Sequence, residues 1–143
     1  MTSLSLVLYF IYTMGHPNFG TPVVDSMLEL INAERTRVGL HWLVENSQLE
    51  ASAHIKACDL LNKGYWSHTD LNGDKPWKLI TEQGYSFRYA GENLCRFYLT
   101  DGACMNGLMQ SPTHKANILE PKFKEIGIGR CGGYIVQHYG SKN

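Results

Sequence analysis

The chain has 143 residues, 43% of them hydrophobic, with 13 Lys and Arg set against 13 Asp and Glu. That length fits a single domain burying roughly two thirds of its unfolded surface. The balanced charge leaves no electrostatic footprint for nucleic acid or an anionic membrane, so partners have to be recognised by shape.

Residues 1–20 stand apart. Leu4 to Tyr12 is an apolar run about half the length a membrane-spanning helix needs. It resembles the apolar region of a signal peptide, although no Lys or Arg precedes it and no small-x-small site follows. Residues 21–143 read as one domain without linker, repeat or low-complexity stretch, and the chain is read as a monomer with no transmembrane segment.

A first helix is expected from Thr21 as N-cap and Pro22 at the first helical position, with Val24, Met27, Leu28, Ile31 and Val38 at helical spacing and Gly39 as its stop. Asn32 and Arg35 are its candidate structural anchors. Ser47 and Glu50 read as a capping box opening a second helix, with Leu49, Ala53, Ala57, Leu60 and Leu61 on one side and Gly64 at its end. His54, inside it, is assigned no role. The segment Tyr65-Trp66-Ser67-His68-Thr69-Asp70 is a loop dense in hydrogen-bonding groups, which gives His68 a better claim to function than His54. Asp74-Lys75-Pro76 opens a short helix ending at Gly84.

Aromatic and alternating residues from Tyr85 to Leu94 predict a strand passing through Glu92. Thr100 or Asp101 caps a further helix holding Ala103, Met105, Leu108 and Met109. Ser111-Pro112 starts another, with His114 on its first turn and Leu119 near its end. Glu125 to Arg130 and Tyr134 to Tyr139 are two strands joined through Gly132-Gly133, a two-residue hairpin loop. His138, in the last strand, is read as a cross-strand packing residue. The fold class is α+β, a mainly antiparallel sheet covered by helices. The four cysteines, Cys58, Cys95, Cys104 and Cys131, lack the C-x-x-C spacing of a zinc knuckle or redox motif; two disulfides in any of three pairings, or buried thiols, all remain open.

Glu92 organises the functional reading. A carboxylate in an apolar strand needs a partner, and the candidates are His68 and His114. The fragments Leu30-Ile31-Asn32 with Arg35 and Gly39, Ser67-His68, Gly91-Glu92-Asn93-Leu94, Ser111-Pro112-Thr113-His114 with Asn117-Ile118-Leu119, Ile126-Gly127-Ile128-Gly129, and Tyr134 with Gln137 follow one order. In that order the chain resembles the CAP superfamily, the group of cysteine-rich secretory proteins, antigen 5 and pathogenesis-related 1 proteins that carry the SCP domain. The Ser-Pro-x-His form is similar to its bacterial-type branch. The resemblance implies an α-β-α sandwich, a secreted or cell-surface location, and a cleft collecting His68, Glu92 and His114. Many relatives hold a divalent metal there with two histidines and two carboxylates. This sequence lacks the second carboxylate, having Ser111 three residues after Leu108.

Two imidazoles and one carboxylate can ligate zinc or another divalent metal with one position open. They can equally form a polar network in which Glu92 accepts hydrogen bonds from both rings. Ser111, as a helix N-cap, is expected to spend its oxygen on backbone amides, which removes the nearest nucleophile. No general base remains if Glu92 ligates an ion, so the reading leans against an enzyme. The expectation is a binding or interaction module whose cleft, flanked by Tyr65, Trp66, Trp77, Tyr85, Phe87 and Tyr89, takes a small molecule, lipid or sterol, peptide or glycan. The alternatives are a metal-dependent hydrolase, possibly a peptidase, and a lipid or sterol carrier.

Overall fold

A computed structural model describes residues 25–142. The segment 1–20 and the Thr21-Pro22 start expected for the first helix lie outside the described residues. Helix α1 spans Met27–Arg37, and its N-cap is Ser26, which exchanges hydrogen bonds with Glu29 in a capping box. Strand β1 is Val44–Glu45, helix α2 Ser47–Lys63 and helix α3 Pro76–Glu82. The cap of α2 is Asn46, one residue before the expected Ser47; its side chain accepts from the amides of Gln48 and Leu49. An amide side chain reaches both donors at once, which leaves Ser47 as the first helical residue. Gly64 ends α2 at φ 67°, where a left-handed residue favours glycine.

Strand β2 runs Phe87–Arg96, helix α4 Asp101–Gln110, helix α5 Pro112–Ile118, strand β3 Glu125–Cys131 and strand β4 Tyr134–Lys142. The sheet order is β1-β3-β4-β2, with β1 parallel to β3 and the other pairs antiparallel. The sheet is thus mixed: the two-residue β1, too short to leave a sequence pattern, adds the parallel pair.

Alternation along the strands sorts side chains between two layers. Leu94, Tyr134 and Val136 pack with Ala53, Ala57 and Leu60 of α2. Cys95, Ile135 and Tyr139 pack on the other face with Met27 and Ile31 of α1, Met105 and Leu108 of α4 and Ile118 of α5. Leu61 and Val38, counted on apolar faces from spacing alone, are exposed. The cysteines pair as Cys58–Cys131, tying α2 to β3, and Cys95–Cys104, tying β2 to α4.

Asn32 and Arg35 are anchors as expected. Asn32 exchanges hydrogen bonds with both backbone groups of Leu43. Arg35, 1% exposed, donates to the carbonyls of His41, Ile118, Glu120 and Phe123, closing the loop after α5 onto α1. Arg35→Met leaves these acceptors without their donor, and we expect a loss of about 2 kcal/mol, measured by urea unfolding.

Candidate functional site

Glu92 lies at the middle of β2, with its side chain 1% exposed. Register places it directly opposite His138 of β4. Both face α2, because Leu94 and Val136, two residues away on each strand, pack on that helix. Glu92 Oε2 lies 2.9 Å from His138 Nε2, and His138 Nδ1 lies 2.7 Å from Ser52 Oγ on α2. The other oxygen, Oε1, lies 2.6 Å from His68 Nδ1. Burial pushes the Glu92 carboxyl up, but the hydrogen bonds from His138 and His68, with Lys56 nearby, outweigh it and hold the group below the ordinary carboxylate range.

An ionised carboxylate only accepts, so His68 donates through Nδ1. When that ring is neutral its Nε2 is a bare acceptor, and the side chain, 54% exposed, lines the cleft. The loop carrying His68 is pinned from below. Lys56, one turn beyond Ser52 on α2, donates to the His68 carbonyl at 2.8 Å and to Tyr65 Oη at 3.1 Å; Tyr65 in turn donates to Asp59. Burial lowers the Lys56 pKa, an effect that Glu92, Asp59 and Asp70 oppose.

His114 is not joined to Glu92. Its Nδ1 lies 2.8 Å from Ser111 Oγ, and its backbone carbonyl accepts from Asn93 Nδ2. The alternation of β2 explains the separation: Asn93 faces α5, where Asn117 bonds its side chain and the Glu92 carbonyl, while the Glu92 carboxylate faces α2. Ser111 also differs from expectation. It caps α5 through its backbone position but makes no side-chain cap hydrogen bond, and its hydroxyl is shared with His114 and Thr113. Burial, and then repulsion from His68, hold His114 below the ordinary imidazole range. Among the described residues no carboxylate bonds His114, so the Ser111–His114 pair lacks the orienting acid of a hydrolytic triad.

Among the described residues no three His, Cys, Asp or Glu side chains are grouped to ligate a metal ion. Each Glu92 oxygen holds an imidazole, while His68 and His114 are engaged at Nδ1 alone.

Two cavities flank β2. His68, Lys75, Trp77, Gly91, Glu92 and Asn117 line one of about 430 Å3. Trp66, Arg96, Tyr98, Leu108, Ser111 and His114 line another of about 270 Å3. Of the expected flanking aromatics, Trp66 and Trp77 do line these cavities; Tyr85 is fully buried in the core with its hydroxyl on Glu125.

The match to the cysteine-rich secretory protein family covers residues 28–139. The chain belongs to the CAP family. Two Bacillus subtilis proteins are similar to this CAP domain. The uncharacterised protein YkwD is 32% identical over 117 residues, 82% of this chain and 46% of its own length; the uncharacterised membrane protein YlbC is 25% identical, over 80% of this chain and 33% of its own length. The CAP chain therefore spans less than half the length of these relatives. Among solved structures, an extracellular SCP-domain protein from Bacillus anthracis superposes with TM-score 0.79 at 24% identity, covering 81% of this chain and 39% of that one. An outer surface protein of Borrelia burgdorferi gives 0.72 at 24% identity, covering 79% and 87%. Both share the α-β-α arrangement. Among the described residues of the CAP domain no helix is long and apolar enough to cross a membrane.

Two residues that complete the site escaped the sequence reading. His138 was legible only as a packing residue, because its pairing with Glu92 depends on the β2–β4 register. Lys56 carries no local signal that separates it from the other polar positions of α2, since its partners lie on the loop beyond the helix.

Proposed function

We propose that this CAP domain is a secreted or surface-exposed binding module whose cleft takes a polar, hydrogen-bond-donating ligand such as a glycan hydroxyl or peptide amide. The observation that carries the reading is the division of labour in the polar layer: Glu92 is buried and fully engaged, while His68 and His114 keep one ring nitrogen each without a protein partner among the described residues and line the cavities. The neutral His68 ring, with its Nδ1 proton committed to Glu92, offers its other nitrogen as an acceptor for a ligand donor. A sterol or acyl chain would bury these ring nitrogens without offering them a hydrogen bond. The extracellular and outer-surface descriptions of the structural neighbours support the location.

Titration of the 15N-labelled protein with soluble glycopeptide fragments of bacterial cell wall tests this. The expected result is saturable shifts at His68, His114 and Trp77. Zinc chloride in the same titration leaves those signals and the melting temperature unchanged. Saturable binding of a fatty acid at these residues, a zinc-dependent rise in melting temperature, or no response to any polar fragment would overturn the reading.

A further inference from the structure

We propose that the Cys58–Cys131 bridge is a thiol-exchange site opened by a dithiol, with His54 as the base that serves Cys58. The ring of His54 sits at the surface of α2 and touches both sides of the link. Its Nδ1 lies 2.9 Å from the Arg130 carbonyl on β3, and its Nε2 lies 3.8 Å from Cys58 Sγ, one helical turn further on. A carbonyl oxygen only accepts, so Nδ1 carries the proton and, in the neutral ring, the Nε2 lone pair faces the sulfur. Backbone packing holds this arrangement. A Cβ on Gly129 would stand 2.0 Å from the His54 amide nitrogen, so β3 lies against α2 at this point and brings the carbonyl of the next residue to the ring. Cys58 and Cys131 are half-buried, whereas Cys95 and Cys104 of the other bridge are 4% and 0% exposed, inside the core. A thiol from solution therefore meets the first bridge more readily than the second.

In the exchange, one thiol of the dithiol gives up its proton and attacks Cys131 Sγ. A sulfur–sulfur bond forms to Cys131, the Cys58–Cys131 bond breaks, and Cys58 leaves with the electron pair. The proton released by the attacking thiol ends on Cys58, and His54 Nε2 is the nitrogen beside that sulfur that holds it on the way. The second thiol then displaces Cys131, so the dithiol leaves oxidised and the chain gains two thiols. A sulfur whose thiolate is stabilised departs faster, which selects Cys131 as the atom attacked and makes Cys58 the nucleophile of the opened form. The charged neighbours have other partners. Asp59, next to Cys58 on α2, is bonded by Lys63 and Tyr65, and Arg130, next to Cys131 on β3, pairs with Asp101. His54 is thereby the titratable group left to serve Cys58 among the described residues.

The full chain, oxidised at both bridges, is treated with limiting dithiothreitol, quenched by alkylation and mapped by mass spectrometry. No cleft ligand enters, so the result stands apart from the reading of the cavities. Cys58–Cys131 is expected to open before Cys95–Cys104. In the opened chain Cys58 is expected to be alkylated roughly tenfold faster than Cys131 at neutral pH, the gain that a stabilised thiolate gives. His54→Gln, at an exposed position of α2, should remove that preference and move the Cys58 rate–pH profile to higher pH, with the circular dichroism spectrum unchanged. Cys95–Cys104 opening first, equal alkylation of Cys58 and Cys131, or a folded His54→Gln protein with an unchanged profile would overturn the proposal. Should that variant not fold, the order of opening and the two alkylation rates in the unmodified chain decide.

Discussion

Replacing Glu92 by Gln is expected to lower the stability of this CAP domain by about 3 kcal/mol, because it leaves the donors of two rings without the buried carboxylate that accepts them. The substitution keeps the shape of the side chain. Yet one end becomes an amide donor, and both His68 Nδ1 and His138 Nε2 meet the carboxylate as donors. Whichever way the amide turns, its N–H faces a ring N–H unless that ring changes tautomer or loses a proton. The pH dependence separates this from a loss of packing. The folded-state pKa of Glu92 is depressed, so its contribution is fully present above the ordinary carboxyl value of 4.5 and is lost as pH falls through the folded value. Urea denaturation of the unmodified and Glu92→Gln proteins should give a constant gap above pH 4.5 that narrows below it. A gap that stays constant into acid would assign the loss to packing.

Gly127→Ala is expected to be the more damaging change, above about 3 kcal/mol, because it asks two backbones to separate. A Cβ on Gly127 would stand 2.0 Å from the Leu49 carbonyl carbon and the Glu50 nitrogen of α2; at Gly129 it would stand 2.0 Å from the amide nitrogen of His54. The strand β3 thus lies against the helix main chain, and no rotamer change makes room. The effect reaches the site. Gly127 pairs with His138 across the β3–β4 ladder, so it is the position that lets α2 come close enough for Ser52 to meet the imidazole. Gly127→Ala should therefore destabilise the fold and, in whatever fraction stays folded, perturb the His138 ring signals more than those of His114. Gly127→Ala,Gly129→Ala should not fold, as read by circular dichroism. A stable double variant with unchanged His138 signals would contradict the close approach.

Much of this was legible in the sequence for local reasons. Thr100, which accepts from the Ala103 amide, the Pro residues opening α3 and α5, and Gly64 each act within a few residues of themselves. Glu92 betrayed itself as a charge in an apolar strand, and His68 as a ring on a polar loop. What stayed hidden depends on long-range register. His138 and Glu92 are 46 residues apart and meet only because β4 lies between β3 and β2. His114 was placed on the correct helix, but which face of β2 that helix covers cannot be read from its own residues. Ser52 carries no local signal on α2, and its bond to His138 depends on a ring that another strand delivers.

Glu92 is divided between His68 and His138, and His114 bonds Ser111 instead. A crystal structure at neutral pH, with anomalous data at the zinc edge from crystals soaked in zinc, tests it most directly. The expected map has the Glu92 carboxylate between His68 Nδ1 and His138 Nε2 and no anomalous peak in the cleft. An anomalous peak shared by His68, Glu92 and His114, with His138 turned away from the carboxylate, would contradict it.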